Sequence, residues 1–372
     1  MRILTTLALL LACFAAAAQA QDAKVPLKPP FPSFAFGTPE SPVLPGFTKV
    51  THLTKYDDAA GFGWLDVAGL DARGGRGPGT LLEGSWIQGY GTFAIKTPNG
   101  KYHVWLLTTS DSGLFMYFPR FTHQLIKANG KVVYDKQMTH DDFLKSFYAN
   151  LDVEDLPGQD VFMLYVESRW WPVEFDAEVA NGRLDIEFSG DGDAPLINAM
   201  IVYPLDRRPE GEKWLADLRE KRRADFYASH KEVELPEKPV DAFPNEAEKA
   251  RGYVVFQRPA SDPVWPTSSP KGGGEEIDRI DASIAHGQFL AIPICVFPFQ
   301  DLGNVKVAGD VFLPYDRHRS VLHFGYVEYK IRRVDEEGKQ YQVRPALIRN
   351  KDTVRIDKGV TRQFWLTLEM PE

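Results

Sequence analysis

The chain has 372 residues, with 43 Lys and Arg against 51 Asp and Glu, a formal net charge of −8. Nucleic-acid binders gather Lys and Arg to release counterions from phosphates, so this balance excludes nucleic acid as an expected partner. Phe, Tyr and Trp make up 12% of the residues, which suits both β-sandwich cores and sugar-stacking platforms.

The first residues read as a leader. A single positive residue, Arg2, precedes the apolar run Ile3 to Ala18, and Ala18-Gln19-Ala20 supplies the small residues of a cleavage site. Residues 1–20 are therefore expected to be a signal peptide, which places the mature chain outside the cytoplasm, secreted or periplasmic. A competing reading takes Leu10-Leu11-Ala12-Cys13 as a lipoprotein box with Cys13 as the lipid-bearing residue; the alanines after it favour the ordinary signal. Without the leader Cys295 is the one cysteine left, so no intramolecular disulfide is expected. It sits in the apolar run Ile292 to Phe297, a setting that predicts burial rather than nucleophilic duty.

In chain order, a proline-rich lead-in from Lys24 to Pro45 contains a first strand at Phe34-Ala35-Phe36. Three Asn-Gly pairs follow, at Asn99-Gly100, Asn129-Gly130 and Asn181-Gly182. Each is a hairpin signal, because a type I′ turn needs positive φ at both central residues. The expected hairpins join Gly91–Thr97 to Lys101–Thr109, Leu125–Ala128 to Lys131–Tyr134, and the strand of Val173, Phe175, Ala177 and Val179 to that of Leu184, Ile186 and Phe188. Period-two alternation implies one buried and one wet face for each. Ile197 to Tyr203 reads as a closing strand. Residues 21–207 thus predict a β-sandwich.

From Glu210 to Lys231, Trp214, Leu215, Leu218 and Phe226 recur at helical spacing among charges, and prolines and acids dominate Glu234 to Lys249. Residues 208–250 are expected to be a charged helix and linker between two domains. A second β-sandwich is expected over 251–372, with strands at Tyr253–Gln257, Phe289–Phe297, Val305–Phe312, Val321–Ile331, Tyr341–Ile348 and Phe364–Leu368. The last strand stops at Met370-Pro371-Glu372, which predicts an open edge and a truncated chain.

The segments Phe34-Ala35-Phe36-Gly37, Pro45-Gly46-Phe47-Thr48-Lys49-Val50, Tyr56, Gly61-Phe62-Gly63-Trp64, Leu70-Asp71-Ala72-Arg73 and Thr97-Pro98-Asn99-Gly100-Lys101-Tyr102 resemble the galactose-binding-like carbohydrate-binding modules of exported rhamnogalacturonan- and agarose-active enzymes. The long insertion between Gly113 and Val173 departs from that pattern. Gly252-Tyr253-Val254-Val255-Phe256 and Phe364-Trp365-Leu366-Thr367 resemble the sandwich that precedes a glycoside-hydrolase-like barrel. The resemblance implies a jelly roll that handles a polysaccharide or oligosaccharide, with a catalytic domain missing from this chain.

Sugar modules pair an aromatic face with acidic, amide or arginine groups for the hydroxyls. The expected carbohydrate-binding residues are Tyr56, Trp64, Asp71, Arg73, Trp86, Asp111, Arg169 and Trp170. Asp71 and Arg73 open a glycine-rich loop, and of the adjacent Trp170 and Trp171 one is expected to be exposed. Glu174, Asp176 and Glu178, facing Asp185 and Glu187 across a hairpin, and Asp191-Gly192-Asp193 are oxygen-rich enough for calcium; a solvated face is the plainer reading of the former. Asp191 and Asp193 stand as metal candidates, and no cofactor is required.

No hydrolytic motif is present. Asp111-Ser112-Gly113 lacks a downstream Asp-x-x-His, and there is no Gly-x-Ser-x-Gly elbow, His-Glu-x-x-His helix or Gly-Lys-Ser/Thr loop. The leading expectation is an exported non-catalytic carbohydrate-binding protein or fragment that targets a polysaccharide-degrading activity. The alternatives are the N-terminal part of a glycoside hydrolase and a structural cell-surface sandwich protein.

Overall fold

The computed structural model describes residues 28–74, 81–109, 123–137, 139, 141, 154–191, 195–238, 244–270, 275–277, 279–309 and 321–370. It is mostly β, with several sheets. The first region contributes β1 (Ser33–Phe36), β2 (Thr48–Val50), β3 (Phe62–Trp64), β4 (Asp71–Gly74), β5 (Ser85–Gln88), β6 (Gly91–Lys96), β7 (Gly100–Thr109), β8 (His123–Ala128), β9 (Lys131–Gln137), β10 (Pro172–Val179), β11 (Arg183–Ser189) and β12 (Leu196–Pro204). A seven-stranded sheet runs β10-β7-β12-β1-β2, with β5 also on β12 and β4 on β5; a five-stranded sheet runs β3-β6-β11-β8-β9.

Only one of the three Asn-Gly pairs makes the expected hairpin. Asn129 and Gly130 both have positive φ, 46° and 80°, and β8 pairs with β9 across them. At the other two pairs the glycine alone has positive φ, and the flanking strands part company. β6 pairs with β11 and β3, β7 with β10 and β12. The chain crosses from one sheet to the other at Asn99-Gly100 and again at Asn181-Gly182. The alternation is consistent with either connection, because strands in opposite sheets can turn their apolar faces to the same core. That core holds Phe36, Trp64, Phe93, Val104, Phe175, Ile186, Phe188 and Met200 among others.

The outer face of the seven-stranded sheet is also covered. Helix α1 (Arg208–Ser229) buries Trp214, Leu218, Arg222 and Phe226, a stripe at spacing four. At Gly211 the helix lies so close to β12 that an added Cβ would stand 2.5 Å from the Tyr203 ring. A π-helical turn at Phe162–Val166 packs beside α1. These residues share one apolar cluster with Trp105, Ile201 and Trp170 of the first region and with Tyr329, Ile331, Tyr341 and Val343 of the second. Strands β7 and β12 are consequently buried on both faces.

The chain after α1 is built into the second region. β13 (Lys231–Glu232) pairs in parallel with β19 (Gln340–Arg349). Helix α2 (Glu246–Arg251) opens with an Asn245–Glu248 capping box. The second region adds β14 (Tyr253–Gln257), β15 (Glu275–Glu276), β16 (Phe289–Pro298), β17 (Gly303–Lys306), β18 (Val321–Arg333), β20 (Thr353–Ile356) and β21 (Arg362–Glu369). Its sheet runs β13-β19-β18-β21-β16-β14-β15, and β17 and β20 form a separate pair. Contrary to the open edge expected for the last strand, β21 lies inside the sheet, hydrogen-bonded to β16 and β18.

Candidate functional site

Four of the expected sugar-binding side chains are structural. Trp64 is 1% exposed, wedged against Phe36, Phe93 and Phe188, with its Nε1 donating to the Thr51 carbonyl at 3.2 Å. Trp86 is also 1% exposed, and Trp170 2%, so none of the three offers a face to a pyranose. Arg169, 1% exposed, donates from Nη1 to the Tyr165 carbonyl at 3.0 Å and lies over the Tyr165 ring. Trp170 and Trp171 do part to opposite sides, but a core lies on each: Trp170 joins the helix-side cluster, Trp171 packs half-buried against the inter-sheet core.

The remaining expectations divide. Asp71 and Arg73 are exposed on β4 and pair with each other at 3.1 Å. Asp111 and Asp193 lie outside the described residues. Asp191 is exposed and stands 3.8 Å from His123 Nδ1, while His123 Nε2 meets Asp135 at 2.8 Å. Among the described residues no group of three or more His, Cys, Asp and Glu side chains surrounds a cation position. The acidic face expected across the third turn is split. Glu174 and Asp176 stand on the seven-stranded sheet, Asp185 and Glu187 on the five-stranded one.

Tyr56 is the expected residue that the fold places among exposed polar partners. Its backbone N–H donates to the Trp64 carbonyl at 2.8 Å, which lays the residue beside β3. Its hydroxyl donates to Asp58 at 2.9 Å, and the Arg183 guanidinium lies 5.5 Å from its ring centroid. Arg183 in turn grips Asp185 with two bonds, 2.7 and 2.8 Å. Next along β11, Glu187 takes Lys127 at 2.8 Å. Alternation on β11 sends Leu184, Ile186 and Phe188 inward and Arg183, Asp185 and Glu187 outward.

A trough of about 850 Å³ crosses this face. Leu65, Thr92, Asp185 and Glu187 line it on the five-stranded sheet, Lys101 and Asp176 on the other side. Asn129 fixes the bank between the sheets: its Nδ2 donates to the Glu178 carbonyl at 2.7 Å and its Oδ1 accepts from the Asp185 N–H at 2.8 Å. The hydrogen bond to Asp58 holds the Tyr56 phenol above its usual range, and Asp185 does the same for the Arg183 guanidinium. Both are therefore donors across the neutral range. A guanidinium has more N–H groups than the two that Asp185 takes, and a carboxylate has lone pairs to spare, so the pair can still bind hydroxyls. Asp185 and Glu187 were visible in the sequence as an outward acidic face; Arg183 was not, and nothing local marked it off from any solvated strand residue.

The other polar cluster is fully engaged. His103 on β7 meets Asp176 through Nδ1 at 2.7 Å and Glu174 through Nε2 at 3.0 Å, and Arg208 clasps Asp176 with two 2.8 Å bonds. Desolvation opposes the charged imidazole, but the two carboxylates outweigh it and raise the His103 pKa. With both ring nitrogens occupied and the side chain buried, His103 pins β7 and β10 to the start of α1.

No protein-family model and no curated protein sequence matches the chain. Among solved structures it is similar to protein YXIM of Bacillus subtilis, at 17% identity over 47% of this chain and 40% of that one, with a TM-score of 0.33. It is similar to a calcium-binding mutant of Bacteroides uniformis β-glucuronidase 2, at 14% identity over 48% of this chain and 18% of that one, with a TM-score of 0.31. A family 35 carbohydrate-binding module from Paenibacillus barcinonensis is matched over 96% of its length and 40% of this chain, at 13% identity and a TM-score of 0.23. This chain spans less than half the length of the first two.

Proposed function

We propose that this chain is an exported carbohydrate-binding protein that holds a polysaccharide or oligosaccharide on the outer face of its five-stranded sheet. The observation that carries this reading is the Tyr56, Arg183 and Asp185 arrangement, of which Asp185 also lines an open trough. It supplies an aromatic surface for the C–H side of a sugar ring and preorganised, bidentate groups for its hydroxyls. Export rests on the leader read in residues 1–20. The sequence motifs from Phe34 to Tyr102 favour the same class of ligand.

A second reading is that the chain is the front part of a glycoside hydrolase whose catalytic domain belongs to a longer polypeptide. The apolar cluster shared by the two β regions favours it over a targeting module on a flexible tether, because a shared core fixes one region relative to the other. The test is affinity electrophoresis of residues 21–372 through gels carrying pectic, agar and xylan polysaccharides, with and without calcium. Retardation by one of them is expected; a folded protein retarded by none would overturn the glycan-binding reading.

A further inference from the structure

The segment before the π-helical turn bridges the two regions through β18. That strand pairs with β21 only over Val321–Tyr326, so beyond this point the same edge of β18 is open toward the first region. Residues 154 and 155 fill it. Asp155 N–H donates to the Tyr329 carbonyl at 3.1 Å, Tyr329 N–H donates to Glu154 Oε1 at 3.0 Å, and Ile331 N–H donates to Asp155 Oδ2 at 2.7 Å.

The two carboxylates differ in what else they meet. Glu154 Oε1 is paired with the Arg362 guanidinium of β21, a cation that opposes the raising of its pKa by burial. Asp155 is 0% exposed and makes no ion pair among the described residues. Of the cations around it, Lys330 is held by Glu328 at 2.7 Å and Arg332 donates to the Ile331 carbonyl at 3.2 Å. Both donors that reach Asp155, the Tyr165 hydroxyl and Ile331 N–H, converge on Oδ2, while Oδ1 has no hydrogen-bond partner among the described residues. A neutral carboxyl accepts in that way, through its carbonyl oxygen. Either form leaves Oδ1 unmatched, and a buried charged oxygen costs more than a buried O–H without an acceptor.

We propose that Asp155 is a proton-operated latch between the two β regions: its neutral carboxyl seats residues 154–166 on β18, and its ionisation loosens that seat. Burial raises the Asp155 carboxyl above the usual range, against the lowering by Tyr165, the Ile331 N–H and the charges of Lys330 and Arg332. A folded-state value above the unfolded one stabilises at low pH, and that contribution is lost as pH rises through the folded value. The latch is independent of the glycan reading and stands or falls without it.

The test is amide hydrogen exchange at residues 329–331 of residues 21–372, corrected for the intrinsic pH dependence, from about pH 5 to about pH 8. Protection in the wild type is expected to fall with rising pH, by up to about tenfold per unit for one proton, and to fall less in Asp155→Asn, where Glu154, also raised by burial, is the carboxyl left at the seat. An equal fall in Asp155→Asn, or wild-type protection that is level or rises, would overturn the proposal. Should that variant not fold, infrared spectra of wild type carrying isotope-labelled aspartate decide. A protonated aspartate band is expected to persist to higher pH than the bands of exposed aspartates, and its loss together with theirs overturns the latch.

Discussion

The two β regions are stabilised in different ways. Among the described residues the first encloses 23 buried apolar residues between its sheets, including Trp64 and four phenylalanines that meet at 5–6 Å, as Phe93 does with Trp64, Phe34 and Phe36 at 5.2 Å each. The second has two clusters of its own, of five and four residues. It supplements them with buried ion pairs, Glu328 with Lys330 and Arg349, and Arg258 with Glu237. Such pairs cost desolvation and add little net stability. Four more of its residues, Tyr329, Ile331, Tyr341 and Val343, join the cluster shared with α1 and the π-helical turn. The first region has one large core between its sheets, and the second divides its apolar residues between two small clusters and the seam.

The seam is the most direct place to break that contrast. Glu83, buried between β4 and β5, pairs with Arg222 of α1, which also meets Glu167 at 2.9 Å. Glu83→Ala leaves a buried guanidinium half-matched and is expected to cost about 3–5 kcal/mol. Chemical denaturation measures it, and the second region's signal is expected to move with the first's. Separate transitions, with the second region unmoved, would mean that the seam carries no weight.

A smaller effect sharpens the account of the first region. The His103 pKa is raised in the fold, so its stabilisation is present below the ordinary histidine value of about 6.5 and is lost as pH rises through the folded value. The stability difference between wild type and His103→Asn is expected to shrink from mildly acidic to mildly alkaline pH, as thermal midpoints across that range would report. Asp176, held low by His103 and Arg208 against its own desolvation, acts with the opposite sign at more acidic pH. A difference that grows toward alkaline pH would contradict the cluster's role.

Much of the fold was legible, because alternation on β10 and β11 and the stripe Trp214, Leu218, Phe226 reflect faces that must be buried. What alternation cannot reveal is which sheet a strand joins, so Asn99-Gly100 and Asn181-Gly182 read as hairpins although the chain changes sheets there. It also cannot reveal that a helix from residue 208 onward covers an outer face. For that reason Trp170 and Arg169 looked available for a sugar and are core. Short strands with little apolar content, such as Thr353–Ile356 and Lys231–Glu232, gave no signal. The site was legible at Tyr56 alone, since Arg183 and Asp185 owe their position to a strand order that no local pattern encodes.

The claim that the five-stranded sheet's outer face is the glycan surface is tested most directly by titration calorimetry of wild type and Tyr56→Ala against the polysaccharide that retards the protein. Tyr56 is half-buried on the surface, and removing its ring is expected to leave the thermal midpoint nearly unchanged while weakening binding by about 1–3 kcal/mol, the scale of one aromatic stacking contact with its hydrogen bond. Equal affinity in the two proteins would contradict the assignment and place the glycan elsewhere.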